Sequence, residues 1–337
     1  MIRVLVVGGG AMGGIIAAKL AEAGRDVVVL DANVEHVARI RAPGLCLEEL
    51  GRSRTVPLAA CSDPSELSGS FDVALVAVKA SHLEAALRPL VARDVASTYV
   101  SLGNGFVQER VEALAGHGRV VWGTVEWGAT NLGVGHVART TENPFVIGEA
   151  DGPARERTRA VAGLLEAVAE VRISGNIRGQ VWSKLLVNST FSGLSAITGR
   201  LYGDVVADPA GRSAAYGLWT EGFTVAHALG AELDEVFGIR PEQLVVREPE
   251  DVPCADRALD AAMRRAAATK ASMLQDLERG VLTEVDVING AVVAHGARAD
   301  LPTPLNACLV QLVHDCEQGV RRPGPDNLAD LDHLRGR

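Results

Sequence analysis

The stretch "VLVVGGGAMGGIIAAKLAEAG", Val4 to Gly24, decides the fold. A short apolar, β-branched run leads into clustered glycines and then into a helical period stopped by Gly24, which reads as strand, glycine turn and helix. Gly8, Gly10 and Gly13 satisfy G-x-G-x-x-G in that context. The pattern serves a tight turn, a close backbone approach to a diphosphate, and close packing of helix on strand. With Ala11 and Met12 completing the turn, the helix N-terminus would face the phosphates of a dinucleotide.

A glycine turn alone is a common strand-to-helix connection, and the next strand, "DVVVL", adds weight. It runs into Asp31, 23 positions after Gly8, where a carboxylate accepts hydrogen bonds from ribose hydroxyls and repels a 2′-phosphate. Asp31 therefore favours NAD(H) over NADP(H); the competing reading is an N-cap or loop acid before "VEHVARIRA". Two more strands, in "FDVALVAVK" and "STYVSLGNG", end at Lys79 and Asn104, at the carboxyl ends where open α/β sheets bind ligands. After Gly118 three strand-like runs, "RVVWGTVEWGAT", "GHVART" and "PFVIGE", lack helical periods between them and predict antiparallel additions to the sheet. A helix follows in "ARERTRAVAGLLEAVAEV". The first domain is placed at 1–175, of Rossmann type.

From there helical periods dominate, which predicts an all-α domain over 176–320. In "VWSKLLVNSTFSGL" Lys184, Asn188 and Ser192 recur every four residues, nearly on one line of a helix. A second polar group lies in "KASMLQDLERGVLTEVDVING". There Ser272 belongs to one helix, Gly280 breaks it, and Thr283 with Asp286 reads as a capping box that would put Glu284 in the first turn of the next. Simpler roles stay open on spacing alone: Lys184 reaching solvent along its stem, Glu284 complementing a helix dipole. The end of the chain, 321–337, mixes prolines and charges and predicts a loosely attached tail.

Whole-chain properties narrow the class. The 337 residues exceed one typical core, and the net charge of −9, without a basic stretch interleaved with aromatics, argues against nucleic acid. The five cysteines form no C-x-x-C pair and predict neither a metal site nor disulfides. Without a leader-like start or a bilayer-length apolar run, the expectation is a soluble cytoplasmic protein without membrane contact. Oligomeric state is left open, a homodimer included.

At these residues the sequence resembles the ketopantoate reductase (2-dehydropantoate 2-reductase) family, through "VLVVGGGAMG", "LVAVKA", "SLGNG", "VWSKLLVN", "SMLQDLERGVLTEVDVINGAVV" and "PTPLNACL". The resemblance implies a Rossmann domain followed by a helical domain like the C-terminal one of 6-phosphogluconate dehydrogenase. It implies NAD(P)H-dependent reduction of a 2-oxo acid, best known in pantothenate biosynthesis. Carried over, Lys184 is the catalytic lysine, Glu284 its acidic partner, and Asn104, Asn188, Ser192 and Ser272 are substrate-binding groups. Lys79 and Asn104 also fall on cofactor-side positions. The chain departs from the family where Ser192 replaces a third asparagine and Asp31 replaces an arginine. The segment from Ala231 into the next helix is long, and Trp127 stands in a run that is usually small and polar.

Three functional readings follow. The first is NAD(P)H-dependent reduction of a 2-oxo acid such as 2-dehydropantoate; the second is an NAD-linked catabolic hydroxyacid dehydrogenase of the same family, favoured by Asp31 and Ser192. The third, from another class, is a non-catalytic NAD(H)-binding sensor. A sensor has no use for a proton donor, so Lys184 beside Asn188, Ser272 and Glu284 speaks against it.

Overall fold

The computed structural model describes residues 2–335, so Met1 and residues 336 and 337, which belong to the outermost predicted segments, lie outside it. Contacts divide the chain into two compact units, Met1–Ile177 and Arg178–Arg337.

In the first unit, the strands β1 (Arg3–Val7), β2 (Asp26–Leu30), β3 (Leu45–Glu49), β4 (Arg52–Val56), β5 (Ala59–Cys61), β6 (Phe71–Val76), β7 (Ala96–Ser101), β8 (Val120–Val125), β9 (Ala129–Gly133), β10 (His136–Arg139), β11 (Phe145–Gly148) and β12 (Val171–Ile173) alternate with helices α1 (Ala11–Glu22), α2 (Val34–Arg41), α3 (Leu83–Ala92), α4 (Val107–Ala115) and α5 (Glu156–Leu165). Eight strands form one sheet in the order β12-β11-β8-β7-β6-β1-β2-β5. From β5 to β8 every pairing is parallel, and β1 lies between β2 and β6. The chain thus winds outward on one side of β1 and then on the other, a switch point that opens a crevice at the strand carboxyl ends. Central strands such as β1, buried along Val4–Val7, read as continuous apolar runs because helices cover both faces.

The expected antiparallel additions are only partly right. β11 does pair antiparallel with β8, but β8 itself is parallel to β7, and β9 and β10 leave the sheet altogether. They join the β3–β4 hairpin in a second sheet of order β4-β3-β10-β9. The reason is packing: a Cβ at Gly14 of α1 would sit 3.2 Å from Leu45 and 3.4 Å from Val137, so this sheet covers a face of α1 that the main sheet does not. Trp127, which departs from a run usually small and polar, is a core residue. Its ring meets Phe145 edge-on at 5.6 Å between centroids, under the Arg139 guanidinium.

Just past β11 the Glu149 carboxylate is buried against the Arg157 guanidinium and the Thr158 hydroxyl. Burial pushes its pKa up, but the bonds from Arg157 and Thr158 outweigh burial and hold it below the ordinary glutamate value. A depressed folded-state pKa gives stability that is present above the unfolded value and lost as pH falls through the folded one. Glu149→Gln should therefore melt at lower temperature near neutral pH. Its melting temperature should also fall less steeply than that of the wild type between about pH 5 and about pH 3. Circular-dichroism melts across that range check it; parallel curves would assign the acid sensitivity to other carboxylates.

The second unit is helical: α6 (Ile177–Val187), α7 (Gly193–Thr198), α8 (Tyr202–Ala207), α9 (Pro209–Ala228), α10 (Val252–Ala266), α11 (Ser272–Glu278), α12 (Val285–Arg298), α13 (Pro304–Glu317) and α14 (Leu328–Arg335). No helix among the described residues is long and apolar enough to cross a membrane. The predicted loose tail is corrected. Leu328 and Leu331 are buried one helical turn apart, α14 packs on α9 and α13, and Asn327 donates to the carbonyls of Ile197 (2.8 Å) and Arg322 (2.9 Å). Two leucines at i and i+3 suffice to dock a short helix, even in a stretch whose overall composition is polar.

Candidate functional site

The glycine turn is built as its spacing requires. Gly8 has φ +97°, a left-handed conformation, and a Cβ on Gly13 would lie 1.9 Å from the Gly8 carbonyl oxygen, so neither position admits a side chain. Gly10 differs: its φ is −63°, and a Cβ there would meet nothing within 4 Å. Nothing in the protein's own packing demands glycine at that point, which fits a backbone left bare for a ligand. Gly10 is also the N-cap of α1 and offers no side-chain cap, so the first-turn amides at Ala11 and Met12 face outward from a helix N-terminus.

Asp31 follows β2 directly. Its Oδ2 accepts from Gly9 N–H at 2.7 Å and its Oδ1 from Asn33 N–H at 2.9 Å. The N-cap of α2 is Asn33, which accepts from His36 N–H at 3.0 Å, so the capping role considered for Asp31 belongs to its neighbour. Lys79 and Asn104, both half-buried, follow β6 and β7 at the same carboxyl edge of the parallel strands as the glycine turn. The cofactor-side residues predicted from sequence are thus collected along one edge.

Sequence reasoning missed His36, 4% exposed on the inner face of α2 with Val37 and Ile40. Its Nδ1 accepts from Gly135 N–H at 3.0 Å, so Nε2 carries the proton and donates to the Gly9 carbonyl at 2.8 Å. Helical spacing already places His36 on the buried face; only its partner was invisible.

In the second unit α6 carries Lys184 and is interrupted directly after Val187 by a π-helical turn, Asn188–Ser192, before α7 resumes. Lys184 and Asn188 are half-buried. Ser192, expected to complete a straight stripe, does not. The i→i+5 turn rotates it off the line into the interior, where it is 2% exposed and hydrogen-bonded to Tyr202. Burial pushes the Tyr202 phenol up to about 12, with the Ser192 bond opposing. Ser192 is thus buried beneath the turn against Tyr202 and does not continue the line of Lys184 and Asn188.

A buried polar chain holds the π turn. Asn289 of α12 donates to the Ser189 carbonyl (2.7 Å) and to Asn306 Oδ1 (2.9 Å), and Asn306 donates to Glu221 of α9 (2.8 Å). The Glu221 carboxylate also takes the first amides of α13, Leu305 N–H (2.8 Å) and Asn306 N–H (3.0 Å). Its burial raises its pKa against the pull of those bonds.

Both α11 and α12 pack on the π turn. Ser272 is the exposed first residue of α11, and Glu284, half-buried, is the N-cap residue of α12. The predicted Thr283–Asp286 capping box is absent. Thr283 Oγ1 accepts from Val285 N–H at 3.2 Å, Asp286 pairs with His314 at 3.0 Å, and Glu284 makes no side-chain cap bond. The long segment after Ala231 also finds a place. Asp234 accepts from Gln180 (2.7 Å) and gives its N–H to Ser183 (2.9 Å), one turn before and adjacent to Lys184 on α6. Further on, Pro241 accepts from Trp219 Nε1 at 2.8 Å and Val246 N–H bonds Thr220 at 3.0 Å, fixing the segment along α9.

Comparison with known proteins places these features in a context. Residues 4–152 match the family model described as "Ketopantoate reductase PanE/ApbA", and residues 176–317 its C-terminal counterpart. The 2-dehydropantoate 2-reductase of Mesorhizobium japonicum is 31% identical over 92% of this chain and 96% of its own length; that of Archaeoglobus fulgidus is 30% identical over 94% and 99%. Among solved structures, a PanE/ApbA family ketopantoate reductase from Ralstonia eutropha superposes with a TM-score of 0.80 at 28% identity, covering 94% of this chain and 99% of that one. A D-mandelate dehydrogenase with NADH and anilino(oxo)acetate shares the fold at a TM-score of 0.82 and 23% identity, over 95% and 99%.

Proposed function

The chain belongs to the ketopantoate reductase family, and from that premise we propose that it reduces the 2-oxo group of 2-dehydropantoate, or of a near relative of that acid, to the 2-hydroxy acid. The activity is that of an oxidoreductase acting on a CH–OH couple, with a nicotinamide dinucleotide as the redox partner. The observation that carries the reading is Lys184, a half-buried cation on the last turn of α6 before the helix opens into its π segment.

Gly8, Gly10, Ala11, Met12, Gly13, Asp31, Lys79 and Asn104 would hold the dinucleotide. When bound, its nicotinamide supplies a hydride to the carbonyl carbon. Lys184 would donate a hydrogen bond to the carbonyl oxygen, polarise it, and give up a proton as the alkoxide forms. A compact ammonium suits that task because it both stabilises negative charge and can part with a proton. Glu284 would accept from a substrate hydroxyl, and Asn104, Asn188 and Ser272 would bind the carboxylate or hydroxyl end. Asp31 supports NADH as the preferred cofactor: a carboxylate fixed by two backbone amides cannot swing away from a 2′-phosphate. That preference also keeps open an NAD-linked hydroxyacid dehydrogenase of the same family.

Initial rates with NADH and NADPH in parallel, against 2-dehydropantoate and a panel of other 2-oxo acids, test the reading. Turnover of 2-dehydropantoate supports it; NADH oxidation only with another acid moves the chain to the dehydrogenase reading. Glu284→Ala should raise KM and lower kcat together, by roughly tenfold in kcat/KM. A lower melting temperature with normal kinetics would return Glu284 to a structural role.

A further inference from the structure

We propose that His36 is a positioning residue of the dinucleotide cradle: by holding the Gly9 carbonyl it turns the Gly10 N–H outward, toward the diphosphate of the cofactor. The inference rests on the cofactor reading above and adds a residue to it.

Two consecutive peptide planes of the glycine turn are pinned by side chains. Asp31 Oδ2 takes the Gly9 N–H at 2.7 Å, and His36 Nε2–H takes the Gly9 carbonyl at 2.8 Å. No peptide among the described residues is cis, and in a planar trans peptide the C=O and the following N–H point in opposite directions. Asp31 therefore sets the Gly8 carbonyl away from itself, onto the bare Cα of Gly13, where a Cβ would come within 1.9 Å of it. By the same geometry His36, drawing the Gly9 carbonyl inward, aims the Gly10 N–H away from the core. On that side Gly10 is half-exposed, and a Cβ there would meet nothing within 4 Å.

The ring is itself fixed. Gly135 N–H, at 3.0 Å from Nδ1, selects the tautomer that donates through Nε2. Gly135, at φ +68°, lies in the turn between β9 and β10, so His36 bolts the cradle to the second sheet. Without the His36 donor the Gly9–Gly10 peptide is free to rotate, and the amide that should meet an anion samples other directions. A preorganised donor is worth more than one that must be ordered on binding.

The test uses the full chain with His36→Leu, which fills the space without a donor, and His36→Gln, whose amide can donate to Gly9 and accept from Gly135. NADH and ADP-ribose, which share the diphosphate, are titrated by calorimetry, with melting temperature and kcat at saturating cofactor as companions, and the wild type is titrated with NADPH as well. His36→Leu should weaken both ligands about tenfold, the worth of one charge-assisted hydrogen bond, with kcat unchanged. His36→Gln should stay within about threefold of the wild type. Binding by the Leu variant equal to the wild type, or equal weakening in Leu and Gln that tracks a shared loss of melting temperature, would reduce His36 to a packing role. Should His36→Leu not fold, His36→Phe supplies a second donor-free side chain. A wild type that binds neither NADH nor NADPH overturns the cofactor reading and this inference with it, and its own titration separates that outcome from a failure of His36 alone.

Discussion

Lys184→Ala should lower kcat at least about 100-fold while leaving the KM for the nicotinamide cofactor near its wild-type value, as expected when a general acid is removed from a carbonyl reduction. The side chain is half-buried, and a thermal melt beside the kinetics separates a loss of fold from the loss of a proton donor. Lys184→Arg separates the two parts of the role. Guanidinium keeps the charge that polarises the carbonyl but does not release a proton at any working pH, so kcat should recover only in part. A Lys184→Ala variant within about threefold of the wild type would show that the proton comes from elsewhere.

The second large effect concerns cofactor choice. Asp31 holds Gly9 and Asn33 with its oxygens, and on the cofactor reading proposed above its charge also repels a 2′-phosphate. Asp31→Arg would reverse the charge but also release the Gly9 amide, so both cofactors should bind less well even as their ratio swings toward NADPH. Asp31→Asn is the cleaner variant, since it removes the charge and keeps an oxygen for Gly9, giving up only the bond from Asn33 N–H. Two like charges about 4 Å apart near a surface repel by a few kcal/mol before screening, so the NADPH-to-NADH ratio of kcat/KM should rise about tenfold or more. An unchanged ratio would place the ribose carboxylate elsewhere, and a wild type that already prefers NADPH would show that Asp31, held by Gly9 and Asn33, serves the turn more than the choice.

Local chemistry made the nucleotide half legible. Gly8 and Gly13 are glycine for reasons that a turn and a helix–strand contact impose, and β1, β2, β6 and β7 are runs whose apolar character follows from burial on both faces. What sequence could not give is where a polar-looking run goes once the main sheet has closed. β10, carrying β9 with it, pairs with a hairpin strand far back in the chain, His136 beside Cys46, a non-local choice driven by the uncovered face of α1. In the helical half the polar stripe misled for a related reason. A four-residue stripe assumes an unbroken α-helix, and the π turn at Asn188–Ser192 has no local signature. It is held from outside by Asn289, 100 residues away from Ser189, and it sends Ser192 inward to Tyr202. His36 is the intermediate case: its burial follows from helical spacing with Val37 and Ile40, but its function depends on Gly9 and Gly135, which only the folded turn brings to it.

The most direct test of hydride transfer by this chain is isotopic. NADH carrying deuterium at C4 of the nicotinamide, in the stereoisomer the enzyme uses, is mixed with protein and 2-dehydropantoate, and the product is read by mass spectrometry, each isomer being tried in turn. Transfer should place one deuterium on C2 of the hydroxy acid with one isomer and none with the other. No labelled product from either isomer, with this acid or with any 2-oxo acid of the panel, while the protein still binds NADH, would contradict the account.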